Sequence, residues 1–178
     1  MSITDEGHYG PKQLNLLKVV WGEGFLSPGG TDEIDEIMTG VNAKGKTVLD
    51  IGCGCGGAAF HLLKKYNVKS VEGIDPEPLV IQTANQLAAK NNLQDVTIFK
   101  QINPGPLDYD DESFDMIFSK EAFLHIPDKE ALLKNVHRIL KPGGLIVVSD
   151  WMRMDDNPPS KQMQDYIDAE GLDMLMCS

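Results

Sequence analysis

Val48-Leu49-Asp50-Ile51-Gly52-Cys53-Gly54-Cys55-Gly56-Gly57 is the stretch on which the fold turns. A short apolar run ends in an acid and then in glycines, and an apolar helical pattern follows from Ala58. Strand, tight turn, helix is the context that gives a glycine-rich motif its meaning. Glycines at 52, 54 and 56 let the backbone turn sharply, and without a Cβ they let a ligand come close. The helix that follows offers free N–H groups and a partial positive charge at its first turn.

Two kinds of cofactor use such a loop. Gly52, Gly54 and Gly57 satisfy the G-x-G-x-x-G spacing of dinucleotide sites, and Asp75 stands where an acid binds ribose hydroxyls. Asp50 points elsewhere. A carboxylate two residues before Gly52 sits poorly beside a pyrophosphate, and well beside a cofactor that carries an ammonium and a sulfonium.

Asp50-Ile51-Gly52-Cys53-Gly54-Cys55-Gly56 resembles motif I, D-x-G-x-G-x-G, of the class I S-adenosylmethionine-dependent methyltransferases. Gly73-Ile74-Asp75 resembles their second-strand acid. Ser113-Phe114-Asp115-Met116-Ile117 and Leu140-Lys141-Pro142-Gly143-Gly144 resemble their fourth strand and the turn before the fifth. The resemblance runs from about Val19 to Asp150. It implies a Rossmann-like α/β fold with S-adenosylmethionine as cofactor. Gly52, Gly54 and Gly56 would form the cofactor loop, Asp50 would hold the methionine ammonium, and Asp75 would take the ribose hydroxyls.

Bulk properties agree with such an enzyme. The 178 residues are most simply one domain with a sizeable core. A net charge of −11 with no basic stripe argues against nucleic-acid binding and mildly favours a cationic substrate. Cys53, Cys55 and Cys177 make neither a disulfide framework nor a zinc pattern, so buried free thiols and no metal are expected. The polar stretch from Met1 to Tyr9 lacks a signal-peptide core, and no apolar run approaches a membrane span. A cytoplasmic protein with a small-molecule substrate and no membrane partner is expected.

The N-terminal segment narrows the resemblance. Pro11 at a first-turn position and apolar residues from Leu14 to Trp21 predict a helix ending near Gly22. A glycine-rich loop covers 22–30, and Thr31 reads as the N-cap of a second helix reaching Val41. Tyr9, that first helix and Trp21-Gly22-Glu23-Gly24-Phe25-Leu26-Ser27-Pro28-Gly29-Gly30 are similar to the phosphoethanolamine and related small-amine N-methyltransferases. There the loop lies over the cofactor, which implies that Ser27 contacts its methionine end. The chain divides into an N-terminal helical lid segment, 1–45, and a Rossmann-like domain, 46–178.

Alternating elements follow. Strands are expected at 47–51, 70–74, 96–99, 114–119 and 144–149, with helices at 58–66, 78–91 and 129–140. Repeated βα units imply a doubly wound, mostly parallel sheet that binds ligands beyond its carboxyl ends, where Asp50, Asp75, Glu121 and Asp150 fall. After Asn157-Pro158-Pro159 a last helix reads from Lys161 to Met174. Full-length members of the family continue with two more strands, so a shortened sheet of about five strands is expected here.

Methyl transfer from a sulfonium is an in-line displacement, and an amine acceptor must first lose a proton. His125 is the candidate base, because imidazole suits proton transfer near neutrality. Ser119 to Ile126 resembles the family's S-R-D-x-x-x-H-I stretch, in which the matching His pairs with an N-terminal Tyr that maps to Tyr9. The resemblance makes Lys120 a cofactor contact in place of Arg, and puts Glu121 near the acceptor's ammonium in place of Asp.

Two departures stand out. The usual acid after strand 3 is missing from Gln101-Ile102-Asn103, which leaves Asn103 or backbone atoms for the adenine. The acidic Asp168-Ala169-Glu170-Gly171-Leu172-Asp173 replaces the Arg, Tyr and Lys with which phosphoethanolamine enzymes clamp phosphate, so a phosphorylated base is not expected. The expected function is methyl transfer to a small acceptor, an amine first and an oxygen or carbon acceptor next. The rivals are a cofactor-binding module without catalysis and a nicotinamide-dependent oxidoreductase, in which Asp50 would have no purpose.

Overall fold

The computed structural model describes residues 9–170 and 174–178. Its centre is a sheet of β1 (Thr47–Ile51), β2 (Ser70–Asp75), β3 (Thr97–Gln101), β4 (Phe114–Lys120) and β5 (Leu140–Ser149). The strands pair in parallel in the order β3-β2-β1-β4-β5. Helices α1 (Pro11–Trp21), α2 (Gly30–Ile37), α3 (Gly57–Tyr66), α4 (Pro78–Lys90), α5 (Lys129–Ile139) and α6 (Lys161–Glu170) accompany it. A short 3-10 turn, Phe123–His125, follows β4.

Strands buried on both faces read as near-continuous apolar runs, and side chains alternate between the two faces. Val48, Met116 and Phe118 join one core with Ile34 and Met38 of the α2 region, Leu62 of α3 and Ala84 of α4. Leu49, Ile51 and Ile117 join the other with Leu132, Val136 and Ile139 of α5. With a helical layer on each side, the sheet is doubly wound, as the alternating pattern predicts. Pro78 starts α4, and Asp128 caps α5 by accepting from the Ala131 N–H at 2.9 Å.

Three adjacent strands, β1, β4 and the edge strand β5, are stitched at the end opposite the glycine loop. Asp115 Oδ2 accepts from the Thr47 N–H at 2.8 Å and the Thr47 hydroxyl at 2.6 Å, while Oδ1 accepts from Lys141 at 3.0 Å. These donors hold the Asp115 carboxyl well below the usual carboxylate range.

Several boundaries differ from the sequence expectation. α2 begins at Gly30 behind a left-handed Gly29 (φ 89°), which places Thr31 inside the first turn rather than at the cap. The helix stops at Ile37, before the positive-φ Gly40 (φ 78°), rather than reaching Val41. Leu140 to Gly144, expected as a turn, is a bulge within β5: Phe114 pairs with Leu140, and Met116 pairs with Leu145. α6 ends at Glu170; Gly171 to Asp173 lie outside the described residues, as does His8, and Met174 is not helical. Cys53 and Cys55 are buried free thiols, but Cys177 is exposed. In the acidic run 108–112 the acids are exposed as expected, yet Tyr109 anchors the turn by donating to Glu72 at 2.6 Å. His61 is tied to Asp35 at 2.8 Å, clamping α2 to α3. No helix among the described residues is long and apolar enough to cross a membrane.

Removing the stitch should be measurable. Asp115→Ala is expected to lower unfolding stability by about 2 kcal/mol, since it strands a half-buried backbone donor and a hydroxyl. Urea unfolding followed by circular dichroism checks this.

Candidate functional site

A cavity of about 490 Å³ opens beyond the carboxyl ends of β1, β2 and β4. Asp50 to Gly54 and Ile74 to Glu77 form its floor, and Lys120, Glu121, Leu124, His125 and Trp151 form one side. The N-terminal segment is the roof. Tyr9, Gln13, Leu17 and Trp21 recur every fourth residue and so present one stripe from α1 and the residue leading into it, and Gly24 to Pro28 continue the roof.

The floor is fixed by its backbone. Gly52 and Cys53 both donate to Ile74 O, at 2.8 and 3.1 Å, which binds the loop to β2. Gly52 has a φ of 74°, and a Cβ there would meet the Ala122 Cβ at 2.2 Å, so the turn after β4 requires glycine. Asp75 accepts from the Gly54 N–H and the Glu77 N–H, each at 3.0 Å, which places its carboxylate against the loop at the mouth of β2.

Asp50 is the anomaly. It is 1% exposed, and its Oδ2 has no hydrogen-bond partner among the described residues. Burial, with the nearby Asp75 charge, pushes its pKa up to about 8. A sealed carboxyl group at the floor of a cavity, with an oxygen unpartnered among the described residues, is one that an incoming cation would satisfy.

Two expected cofactor residues stand elsewhere. Gly56 does not line the cavity; a Cβ there would meet the Phe99 and Phe60 rings at 2.8 and 3.0 Å, so its glycine serves core packing. Asn103 is exposed and outside the lining, although its neighbours Ile102 and Pro104 contribute to it. The remaining expected residues, Ser27, Asp50, Gly52, Gly54, Asp75, Lys120, Glu121, His125 and Tyr9, all line one cavity.

On the far side, Glu121 sits in the left-handed region (φ 52°), a strained conformation for a residue with a side chain. Its Oε1 accepts from the Trp151 indole at 3.3 Å, and its Oε2 pairs with Lys120 at 3.2 Å. His125 rides on the 3-10 turn. Asp150 holds that turn by accepting from the Leu124 N–H at 2.9 Å and the Trp151 N–H at 2.8 Å. Burial raises the Asp150 pKa, and the Trp151 and Leu124 N–H donors act against that rise. Leu175 braces the turn from behind by donating to Leu124 O at 2.8 Å.

Sequence reasoning missed three features: the roof stripe, Trp151 and the seat between Gly24 and Gly57. The roof stripe was legible as a spacing of four running back from Trp21. Trp151 follows Asp150, which the sequence did place at the end of the fifth strand, a position that marks ligand-facing residues in this architecture. Gly57 N–H donates to Gly24 O at 3.0 Å, and a Cβ on Gly57 would stand 2.8 Å from Gly24. That seat for the roof joins two glycines far apart in sequence, and no local pattern announces it.

Residues 42–171 match the family model described as a methyltransferase domain. Arabidopsis thaliana phosphoethanolamine N-methyltransferase 1 is 38% identical over 156 residues, covering 87% of this chain and 31% of the relative. The Synechocystis sp. 2-methyl-6-phytyl-1,4-hydroquinone methyltransferase is 36% identical over 155 residues, covering 84% of this chain and 45% of the relative. The chain thus spans less than half the length of these curated relatives. A solved Haemonchus contortus phosphoethanolamine N-methyltransferase 2, in complex with S-adenosyl-L-methionine, superposes with a TM-score of 0.86 at 23% identity. That match covers 99% of this chain and 41% of the other, and establishes the shared fold.

Asp50 makes the folded chain hold a proton more tightly than the unfolded chain does. Stability from this group is full below the ordinary carboxylate range and is lost as pH rises through about 8. Asp50→Asn is therefore expected to raise the melting temperature, by more above about pH 8 than near pH 5. Thermal melts across pH check the sign.

Proposed function

The chain belongs to the methyltransferase-domain family, and on that premise we propose that it binds S-adenosylmethionine and methylates a small amine that carries no phosphate. One observation carries the donor half: the sealed Asp50 carboxylate at the end of β1, whose Oδ2 lacks a partner among the described residues. The residues around it fit the group. Asp50 would receive the methionine ammonium, and Asp75 at the mouth of β2 would take the ribose hydroxyls. Gly52 and Gly54 keep the floor free of side chains, and the Ser27 hydroxyl stands at the rim of the roof. When bound, S-adenosylmethionine supplies an electrophilic methyl group on a sulfonium.

The chain's own part is to orient, to neutralise charge and to move a proton. At the ordinary pH of a cell, Asp50 is largely protonated before binding, so an arriving ammonium favours loss of that proton. The roof stripe from Tyr9 to Trp21 and the loop 24–28 exclude water from the reacting centre. On the acceptor side, Glu121 attracts a substrate cation, and the Trp151, Tyr166 and Tyr9 rings suit its alkyl groups. His125 takes the proton that frees the amine lone pair, and Asp150 holds the turn on which it sits.

The acceptor half rests on charge. Asp50, Asp75, Glu77 and Glu121 line the cavity, and Lys120 is the one Lys or Arg among the described lining residues. Its ammonium is already surrounded by acceptors. A phosphate would find no free cation there, whereas an alkylammonium would meet an acidic lining. In this reading residues 1–45 act as the lid, and 46–178 as the body that holds donor and acceptor.

Titration calorimetry is expected to show binding of S-adenosylmethionine and S-adenosylhomocysteine and none of NADH. NADH binding in their place would overturn the reading. Affinity for the donor should rise with pH until about pH 8 and then level, with proton release on binding below that point. Asp50→Asn should weaken it roughly a hundredfold. With labelled donor, ethanolamine or dimethylamine should be methylated in preference to phosphoethanolamine. His125→Ala should lower kcat about a hundredfold while S-adenosylhomocysteine still binds.

A further inference from the structure

Lys120 ends β4 at the seam between the body and the roof. Its side chain is 7% exposed, and its Nζ has four close oxygen partners on three separate elements. Ser27 Oγ lies at 2.8 Å and Pro28 O at 3.0 Å, both in the loop between α1 and α2. Glu33 Oε2 of α2 lies at 2.9 Å, and Glu121 Oε2, next in its own chain, at 3.2 Å. An ammonium has three N–H bonds, so four acceptors oversubscribe it.

We propose that Lys120 is the pin that holds the N-terminal lid closed over the cavity, a positioning residue rather than a contact to the donor. Three of its four partners belong to the lid or to the helix that follows it. The fourth, at the longest distance, faces the acceptor space. Without the ammonium, the Glu33 and Glu121 carboxylates would face one another across the seam with no charge between them, and Ser27 and Pro28 would lose their tie to β4. Beside the Lys90–Glu23 ion pair at 2.9 Å, the loop has a second seat on the body in the Gly24–Gly57 contact, one neutral hydrogen bond and a close backbone approach. The two seats fix the roof at both ends of the loop.

Oversubscription shapes the expected response. Losing one acceptor leaves three for three N–H bonds, so Glu33→Gln or Ser27→Ala should have small effects. Losing the ammonium releases every contact at once, so Lys120→Met should have a large one. The guanidinium of Lys120→Arg can serve several acceptors and should restore most of the closure.

Hydrogen exchange of the 22–30 amides, followed by mass spectrometry on the ligand-free protein, tests the pin directly. Lys120→Met should speed exchange there about tenfold or more, while the 47–51 strand amides stay as in wild type. Lys120→Arg should return the rate close to wild type, and Glu33→Gln should shift it by less than about threefold. Unchanged 22–30 exchange in Lys120→Met would overturn the proposal, as would an equal rise throughout the sheet. Should Lys120→Met not fold, Ser27→Ala combined with Glu33→Gln carries the test, with the same local rise expected and an unchanged rate overturning it.

A second measurement rests on the methyltransferase reading. S-adenosylhomocysteine should leave Lys120→Met about tenfold faster than wild type in stopped-flow displacement. If wild type binds no S-adenosylhomocysteine while the exchange result holds, the donor assignment fails and the pin stands. If wild type binds it and the exchange result fails, the donor assignment stands and the pin falls.

Discussion

A carboxyl group sealed at the end of the central strand, its Oδ2 unpartnered among the described residues, is the constraint from which the site follows. Asp50 sits between Gly73 of β2 and Phe118 of β4 in the sheet register, so it cannot turn toward bulk water without breaking the middle of the fold. Placing a second acid, Asp75, near enough to raise its pKa further adds to the cost. Asp50 Oδ2, unpartnered among the described residues, is the group that a cationic ligand would satisfy in the proposed reading. The glycines that follow serve this arrangement. Gly52 lets the turn after β4 close against the loop, and Gly54 donates its N–H to Asp75, holding the second acid in place.

Over that floor the N-terminal segment is held by contacts of two unlike kinds. At one end, two glycines bring backbone against backbone, a seat defined by the absence of side chains. At the other, Lys120 gathers partners from the loop and α2 into one polar knot. Packing of the first kind is geometrically demanding but weak in energy, whereas the second is charge-assisted and responsive to its surroundings. Together they let a helix with no buried residue, α1, lie across the cavity through the stripe it presents rather than through a core of its own.

What the sequence disclosed and what it withheld divide along physical lines. Features set by local periodicity were legible: β1, α3, β2 and α4 fall within a residue or so of their expected bounds, and the acids at the carboxyl ends of strands converge as the topology requires. Features set by pairs distant in sequence were not. Gly56 reads as a cofactor-loop glycine by spacing, but the Phe60 and Phe99 rings decide its role. The Gly24–Gly57 seat links segments more than a helix apart. Lys120 reads as a cofactor contact by family position, while Ser27, Pro28 and Glu33 around it show an occupied ammonium. Thr31 looked like a cap because capping chemistry favours it, yet the two preceding glycines start the helix earlier.

Relatives that match this chain are named for acceptors as unlike as phosphoethanolamine and a hydroquinone. In the proposed reading, the acceptor meets the rim formed by the ends of β4 and β5 and by the roof above them. In this chain that rim carries Glu121, forced into a left-handed conformation and held there by Trp151 and Lys120. Strain of this kind persists only where neighbouring contacts fix it, and here those contacts aim a carboxylate into the cavity. With Lys120 spent on the lid, the rim presents net negative charge and aromatic surface. An acceptor bearing its own anion would have to bring a counter-charge, whereas a simple alkylammonium supplies the charge that the rim lacks.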